Sequence, residues 1–400
     1  MLSPNIKIMN QGKYVFSQVI DFIPRYQFDK LVRVYKGDWH VKNLNSYNHL
    51  LHLLFGQLTG CDSLRDICLC LEAHSKMLYH LGFRKTVNHT SLSRANESRD
   101  YRIIEGLGIY LIGLVRPMYS KAKLSDITID NVIYALDSTT ISTSIKLAAW
   151  ALGKYSKGAV KVHTLLDLRG SIPANIHITD GKWHDSNELD MLSPEPFAFY
   201  VMDKAYVDFK ALFRFHQTQV FWVSRPKENM KFMTIEQMEI PDAKSGIIED
   251  SRIRVTGYKS SKLYPDDMRF VRVYDPDNDT IVDFISNNFE VSAMEISNLY
   301  RHRWDIEVFF KWIKQNIVVK TLWGFSENAV KIHLWTAVIA YLTVARIKVD
   351  YKSCYSITEV ATLIRISALE RVELRQLLTK QDLSTNSNQN VKELSLFDDF

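Results

Sequence analysis

The sequence predicts an α/β fold: a mixed sheet with helices, interrupted by a strand-rich insertion and preceded by a helical N-terminal domain. Three observations carry this expectation. The first hundred residues show helical periodicity, the stretch from 132 to 224 holds five runs of strand length, and residues 300–314 read as one helix with a polar stripe. A chain of 400 residues has room for two or three domains with sizeable cores.

In the helical part, Tyr47-Asn-His-Leu-Leu-His-Leu-Leu-Phe-Gly-Gln-Leu58 is amphipathic and Gly60 ends it, while Asp62-Ser-Leu-Arg-Asp-Ile-Cys-Leu starts another helix with a capping acid. Asn88-His-Thr-Ser-Leu-Ser-Arg-Ala-Asn-Glu-Ser-Arg99 follows. A short helix, a polar turn and a Ser/Arg/Asn-rich helix are compatible with a helix-turn-helix that reads a major groove. Ser91, Ser93, Arg94 and Asn96 are its candidate contacts, against the plainer reading of a solvated helix face.

Strands are expected at Val132–Asp137, Val160–Leu168, Ser171–Ile178, Phe197–Asp203 and Val220–Ser224, with Arg169-Gly170 turning the second into the third. The first and fourth end in an acid, so each presents a carboxylate, Asp137 and Asp203, at its carboxyl end. A helix from Val207 to His216 follows the second. Either acid alone is as readily a turn former or a helix cap. Between Arg225 and Asn288 lies a segment too long for a simple loop; Ser251-Arg-Ile-Arg-Val-Thr, Arg269-Phe-Val-Arg-Val-Tyr and Thr280-Ile-Val-Asp-Phe-Ile make it a β insertion. Alternation puts Arg252 and Arg254 on one strand face and Arg269 and Arg272 on opposite faces. These four and Arg225 are candidate DNA contacts, the alternative being charges that protect strand edges.

At about 100° per residue, Tyr300, Arg303, Glu307 and Lys314 fall within roughly 60° of one another on a helix. Trp304, Ile306, Val308, Phe309, Phe310, Trp312 and Ile313 cover most of the remaining circumference, so the helix is expected to be packed on several sides with its polar stripe facing a cleft. An ordinary surface Arg–Glu pair is the plainer alternative, which the aromatic density disfavours. Three carboxylates brought together repel and raise one another's pKa unless divalent cations lie between them. Hard oxygen ligands with open positions suit Mg²⁺ or Mn²⁺, and two such ions about 3.5–4 Å apart serve in-line phosphoryl displacement. The chemistry suggested is phosphodiester cleavage or transfer.

Asp137, Asp203 and the Tyr300-x2-Arg303-x3-Glu307-x6-Lys314 spacing resemble the DDE transposases of bacterial insertion sequences, and the Y-R-E-K pattern resembles the insertion-sequence-four family. Val162-His-Thr-Leu-Leu-Asp-Leu, Asn287-Asn-Phe and Leu322-Trp-Gly agree in order. The resemblance implies an RNase H-like catalytic core at 126–225 and 289–350, a β-strand insertion at 226–288, a helical DNA-end-binding domain at 1–125, and a C-terminal helical region with a polar tail at 351–400. It implies that Asp137, Asp203 and Glu307 are catalytic and hold two Mg²⁺ or Mn²⁺ ions, and that Tyr300, Arg303 and Lys314 bind phosphates near the cut. The implied substrate is double-stranded DNA, as element ends with terminal inverted repeats and as target. A homodimer in the synaptic complex and a DNA hairpin intermediate are implied as well. Family analogy suggests Trp222 as a platform for a flipped base, but Phe221-Trp-Val is apolar on both faces and reads as core. His163, His184 and Asp185 lie in family context and read as capping or core residues.

A net charge of +5 and a pI near 8.8 permit DNA binding without requiring it. Cys61, Cys68, Cys70 and Cys354 have no zinc spacing and fit a reduced cytosol. With no secretory pattern at the start, the protein is expected in the bacterial cytoplasm, associated with the nucleoid. Met9-Asn-Gln-Gly-Lys-Tyr resembles a family start, which leaves Met1 and Met9 as alternative starts. Ile332 to Ile347 falls short of the ~20 residues that span a membrane and contains His333 and Arg346, so it reads as a core helix. The polar tail from about Gln381 reads as disordered. A tyrosine recombinase built on Tyr300, Arg301, His302 and Arg303 is disfavoured because neighbouring helical residues diverge by about 100°. A transposase-derived DNA-binding protein without cleavage, and a non-transposing RNase H-like nuclease, stay as alternatives. No Walker loop, H-E-x-x-H or G-x-S-x-G occurs.

Overall fold

Alternation along the strands gives one sheet two apolar faces, and helices cover both. A computed structural model describes residues 12–143, 150–151, 158–240, 246–276, 278–316 and 322–379. Six helices come first: α1 (Val15–Ile20), α2 (Arg25–Val34), α3 (Ser46–Thr59), α4 (Leu64–Ala73), α5 (His89–Ser98) and α6 (Arg102–Val115). The Asn45 side chain caps α3 by accepting from the Asn48 N–H, and Gly60 ends it at φ 76°, a left-handed conformation that costs glycine little. This helix is not amphipathic as expected. His49, His52 and Gln57 are buried along with its leucines, because neighbouring helices enclose it. The cap of α4 is Ser63 rather than Asp62. Residues 74–88 separate α4 from α5, far more than the three- or four-residue turn of a helix-turn-helix, so that motif is not formed by this pair.

The sheet then builds from β1 (Ile133–Thr143), β2 (Gly158–Asp167) and β3 (Ile172–Asp180). After α7 (Asp185–Met191) come β4 (Phe199–Met202), α8 (Phe209–Gln217) and β5 (Phe221–Ser224). All five expected strands are present. The first runs past Asp137 to Thr143, because its antiparallel ladder with β2 continues from Asp137 opposite Thr164 to Thr143 opposite Gly158. The insertion supplies β6 (Phe232–Gln237), β7 (Ile247–Val255), the short α9 (Ser260–Leu263), β8 (Met268–Asp275) and β9 (Thr280–Ser286). These strands extend the same sheet, since β9 pairs antiparallel with β5 and the order is β3-β2-β1-β4-β5-β9-β8-β7-β6. The chain ends in α10 (Ala293–Arg301), α11 (Trp304–Asn316), α12 (Glu327–Asp350), α13 (Ile357–Ser367) and α14 (Leu374–Leu377).

One face of the sheet, with Ile133, Ala135, Phe199, Val201, Val223 and Phe284, shares a core with α6 and α10–α13. The opposite face, with Tyr134, Leu136, Tyr200, Met202 and Trp222, packs on α8 and Tyr264. Trp222 is fully buried, so it is a core residue. By length and composition α12 could cross a membrane, but 89% of its most apolar window is buried within the protein. It lies close against α6, where a Cβ on Gly108 would come within 2.5 Å of the Trp335 ring. Among the described residues the four cysteines form no disulfide. The polar tail lies outside the described residues.

Three buried histidines are held neutral. Burial lowers His49 to about 3, helped by the nearby Arg99 charge, and lowers His333 to about 3 and His52 to about 4. As pH falls below about 6.5 the unfolded chain binds protons that the folded one refuses, so stability is present at neutral pH and lost towards acid, at about 2 kcal/mol per histidine by pH 5. The urea midpoint should therefore be clearly lower at pH 5 than at pH 7. Equal midpoints would contradict neutral burial.

Candidate active site

The site begins with strand register. β1 and β4 are parallel neighbours with Leu136 opposite Met202, so Asp137 and Asp203 occupy the next positions on adjacent strands. Both continue the odd-numbered series Ile133, Ala135 and Phe199, Val201, and so leave the sheet on the face that carries α10 and α11. Arg225, just past β5, follows Val223 on the same face. Asp203 has left its strand and caps a short 3₁₀ turn, accepting from the Ala205 N–H at 3.0 Å. Asp137 accepts from the Ser138 N–H at 2.8 Å.

The expected single helix over 300–314 is two. α10 ends at Arg301 and α11 starts at Trp304; across the break the Arg303 N–H bonds the Tyr300 carbonyl and the Asp305 N–H bonds the His302 carbonyl, both at 3.0 Å. These i to i−3 bonds tighten the chain and turn the second helix relative to the first. Two expectations fail as a result: Trp304 is 61% and Val308 55% exposed, whereas Ile306, Phe309, Phe310, Trp312 and Ile313 are buried as expected. Arg303 lies at the break. Its Nη2 donates to Glu307 Oε1 at 2.9 Å and its Nη1 to Asp137 Oδ2 at 3.3 Å, joining the helix acid to the strand acid. Tyr300 stacks at 5.1 Å on Phe284 of β9, with the Arg303 guanidinium 5.8 Å from its ring.

Burial raises the Asp137 carboxyl to about 6, and the charges of Asp203 and Glu307 push the same way against the Ser138 N–H and Arg303. Asp137 therefore lies within the fields of both other acids. Hard carboxylate oxygens are the chemistry that suits a divalent cation. Among the described residues, however, no three acidic, histidine or cysteine side chains are arranged so that they could hold a metal ion, and Arg303 stands between Asp137 and Glu307. A cleft of ≈560 Å³ opens beside them, walled by Arg225, Tyr300, Arg303 and Trp304 and by the β8–β9 hairpin. Lys314 is exposed near the end of α11, and among the described residues no hydrogen bond or ion pair ties it to the acids.

The transposase DDE domain family matches residues 129–343, which include all three acids and the cleft. The chain belongs to that family. Residues 11–84 match a second family, described as a domain of unknown function (DUF4372). A protein of Sinorhizobium fredii named as a transposase, y4zB, is 32% identical over 52% of this chain and 58% of its own length. A Geobacillus stearothermophilus protein named as a transposase for insertion sequence element IS5377 is 26% identical over 64% of this chain and 66% of its own. A third, from Synechocystis, named for insertion sequence element IS4SA, is 28% identical over 64% of this chain and 71% of its own.

Several expected DNA contacts of this DDE-family chain are occupied otherwise. Asn96 is buried, its Oδ1 2.7 Å from His49 Nε2 and its amide donating to the Trp323 carbonyl, so it joins elements instead of reading bases. Arg269 is buried in a bidentate pair with Asp250 at 2.7–2.9 Å, because its strand face is a core face. Arg272 pairs with Asp283 at 2.8 Å and Glu249 at 3.5 Å. Arg252 and Arg254 do share an outward face, with Ile253 and Val255 buried beneath, but Asp267 and Glu236 partner them. On α5, Ser91 and Ser93 are half-buried and Arg94 is exposed. His163 is buried beside Thr179, and His184 leads into α7. Asp185 accepts from the Ser138 hydroxyl at 2.7 Å and Lys161 at 3.1 Å, next to Asp137. Sequence reasoning missed that contact, since nothing in the spacing links residues 138, 161 and 185. It also missed Asp126, which holds His302; only the His302–Asp305 i, i+3 spacing hinted at a cluster there.

Removing one partner of the buried Arg269–Asp250 pair strands a charge. Asp250→Ala should cost about 3–5 kcal/mol of unfolding free energy in urea titration. A loss below about 1 kcal/mol would return Arg269 to the surface candidates.

Proposed function

We propose that this chain is an insertion-sequence transposase of the insertion-sequence-four type, which cuts DNA at the ends of its element and joins them to a target. The observation that carries the reading is the convergence of Asp137, Asp203 and Glu307 from two adjacent parallel strands and a helix, with Arg303 holding the last to the first. The sheet supports an RNase H-like core, since β1, β2 and β3 form an antiparallel meander and β1, β4 and β5 run parallel. Asp137, Asp203 and Glu307 would hold two Mg²⁺ or Mn²⁺ ions, which when bound would supply activation of the attacking oxygen and stabilisation of the leaving oxygen. Binding there requires Arg303 to give up part of its bridge, and a phosphate is the natural new partner for its planar fork.

Tyr300, Arg303 and Arg225 line one wall of the cleft and position the scissile phosphate, and Lys314 adds a point charge along α11. The first in-line displacement frees a 3′-hydroxyl at the element end, and the second uses that hydroxyl to attack target DNA. The N-terminal helices recognise the terminal inverted repeats, with Ser91, Ser93 and Arg94 of α5 as the contacts left by the structure. The active assembly is a homodimer on two element ends, acting in the cytoplasm at the nucleoid.

A labelled duplex carrying the element's own end, incubated with protein and Mg²⁺, tests this reading. Asp137→Ala, Asp203→Ala and Glu307→Ala should each abolish metal-dependent cutting and leave end binding largely intact. Full cleavage by any one variant would remove that residue from the site. Binding without cutting under Mg²⁺ and Mn²⁺ would mark a DNA-binding derivative, and cutting without joining a nuclease.

A further inference from the structure

The break between α10 and α11 is what lets Arg303 face both acids, and His302 lies inside it. Its Nε2 is 2.6 Å from Asp126 Oδ1, on the segment leading to β1, and its Nδ1 is 2.9 Å from Asp305 Oδ2 on α11. A neutral imidazole has one donor and one acceptor nitrogen, so with a carboxylate on each side one contact would oppose two lone pairs. Both contacts are satisfied only by the imidazolium. The other charge facing this cluster is Arg301 of α10, 4.0 Å from Asp126. Asp126 is itself held, since its carbonyl accepts from Asn298 of α10, and Glu295 of α10 accepts from the backbone of Thr128. The clamp therefore joins three parts of the chain: α10, α11 and the entry to the strand that carries Asp137.

We propose that His302, as an imidazolium, is a positioning residue that locks the α10–α11 junction to the entry of β1 and so aims Arg303 and Glu307 at Asp137. The proposal rests on the transposase reading for its consequence in catalysis, and on the geometry alone for the clamp. His302 hydrogen bonds to Asp305 and Asp126 raise its pKa above the ordinary 6.5 against the effect of burial. With a raised folded pKa the clamp is fully charged below about 6.5 and is lost as pH rises through the folded value. That is the opposite sense to His49 and His333. Asp126 and Asp305 face the two ring nitrogens, so deprotonation of the imidazolium leaves a ring that can donate to only one of them.

The test uses the full chain, with His302→Gln, which keeps a donor and loses the charge, and Asp126→Asn, which keeps His302 and weakens its partner. On the end-carrying duplex with Mg²⁺, the wild-type rate should exceed that of His302→Gln by about tenfold near pH 6.5, and the ratio should approach one at high pH. A ratio that stays constant across pH overturns the proposal, because a merely structural role would give that. NMR titration of the His302 ring should show a midpoint above 6.5, lowered in Asp126→Asn. Amide exchange over residues 298–310, corrected for intrinsic rates, should accelerate through the same midpoint in wild type and be fast at every pH in His302→Gln. A midpoint at or below 6.5, or exchange indifferent to the substitution, overturns the clamp. If wild type does not cut at any pH the transposase reading fails, and the titration and exchange still decide the role of His302.

Discussion

The structure turns on one electrostatic constraint: two carboxylates placed side by side by strand register need positive charge near them. Parallel pairing of β1 with β4 fixes Asp137 and Asp203 at neighbouring positions on the same face. Asp137 cannot move without shifting a ladder whose other residues are core, and Asp203 follows directly on the last pair of β4. Burial and like charge raise Asp137, so the arrangement is costly by itself. Arg303 supplies the compensation within the protein, and the helix break exists at the residue that supplies it. A stored electrostatic cost of this kind is expected where a site is built to take up cations and a phosphate instead of to maximise stability.

Around that constraint the rest of the chain acts as scaffold. α12 lies under the site and touches both the sheet core and the N-terminal helices through one continuous apolar cluster. Trp323, just before α12, stacks on His333 at 4.2 Å with the rings nearly parallel, and its carbonyl accepts from Asn96 of α5. Asn328 at the start of α12 donates to the carbonyls of Asn96 and Arg99. The helical region is thus not a separate body on a linker. Its α5 is hydrogen-bonded to Trp323 and to Asn328 at the start of α12.

The sequence made the strands legible because their apolar runs are short and bounded by acids or turn residues, and the acids at 137 and 203 stood out for the same reason. What it hid were features set by partners distant in sequence. The stripe of Tyr300, Arg303 and Glu307 was readable at helical spacing, yet at the break within it His302 meets Asp126, far away along the chain, and Trp304 and Val308 turn outwards. Asn96 was read as a candidate DNA contact, with a solvated helix face as the alternative, because nothing local reveals that it bonds His49 and Trp323. Arg269 and Arg272 were correctly placed on a strand, but whether a strand arginine meets solvent or an aspartate depends on the neighbouring strand, and Asp250 lies on β7.

That last distinction bears on the DNA binding proposed above. Its net charge is small, so affinity for phosphate must come from where cations are placed rather than from their number. The insertion's arginines, Arg252, Arg254, Arg269 and Arg272 on β7 and β8, are already paired with Asp250, Asp267, Asp283 and the nearby glutamates. Moving one of them to a phosphate exchanges one ion pair for another, with little net gain. Arg225 and Arg301 are exposed at the cleft, Lys314 is exposed near the end of α11, and Arg303 is shared between two of the acids. The cleft is thus lined by Arg225, Arg301 and Arg303 together with residues of the β8–β9 hairpin. Strand order makes this possible, because β9 lies directly against β5 and brings Phe284 under Tyr300. An insertion folded as a detached module could not have formed that wall.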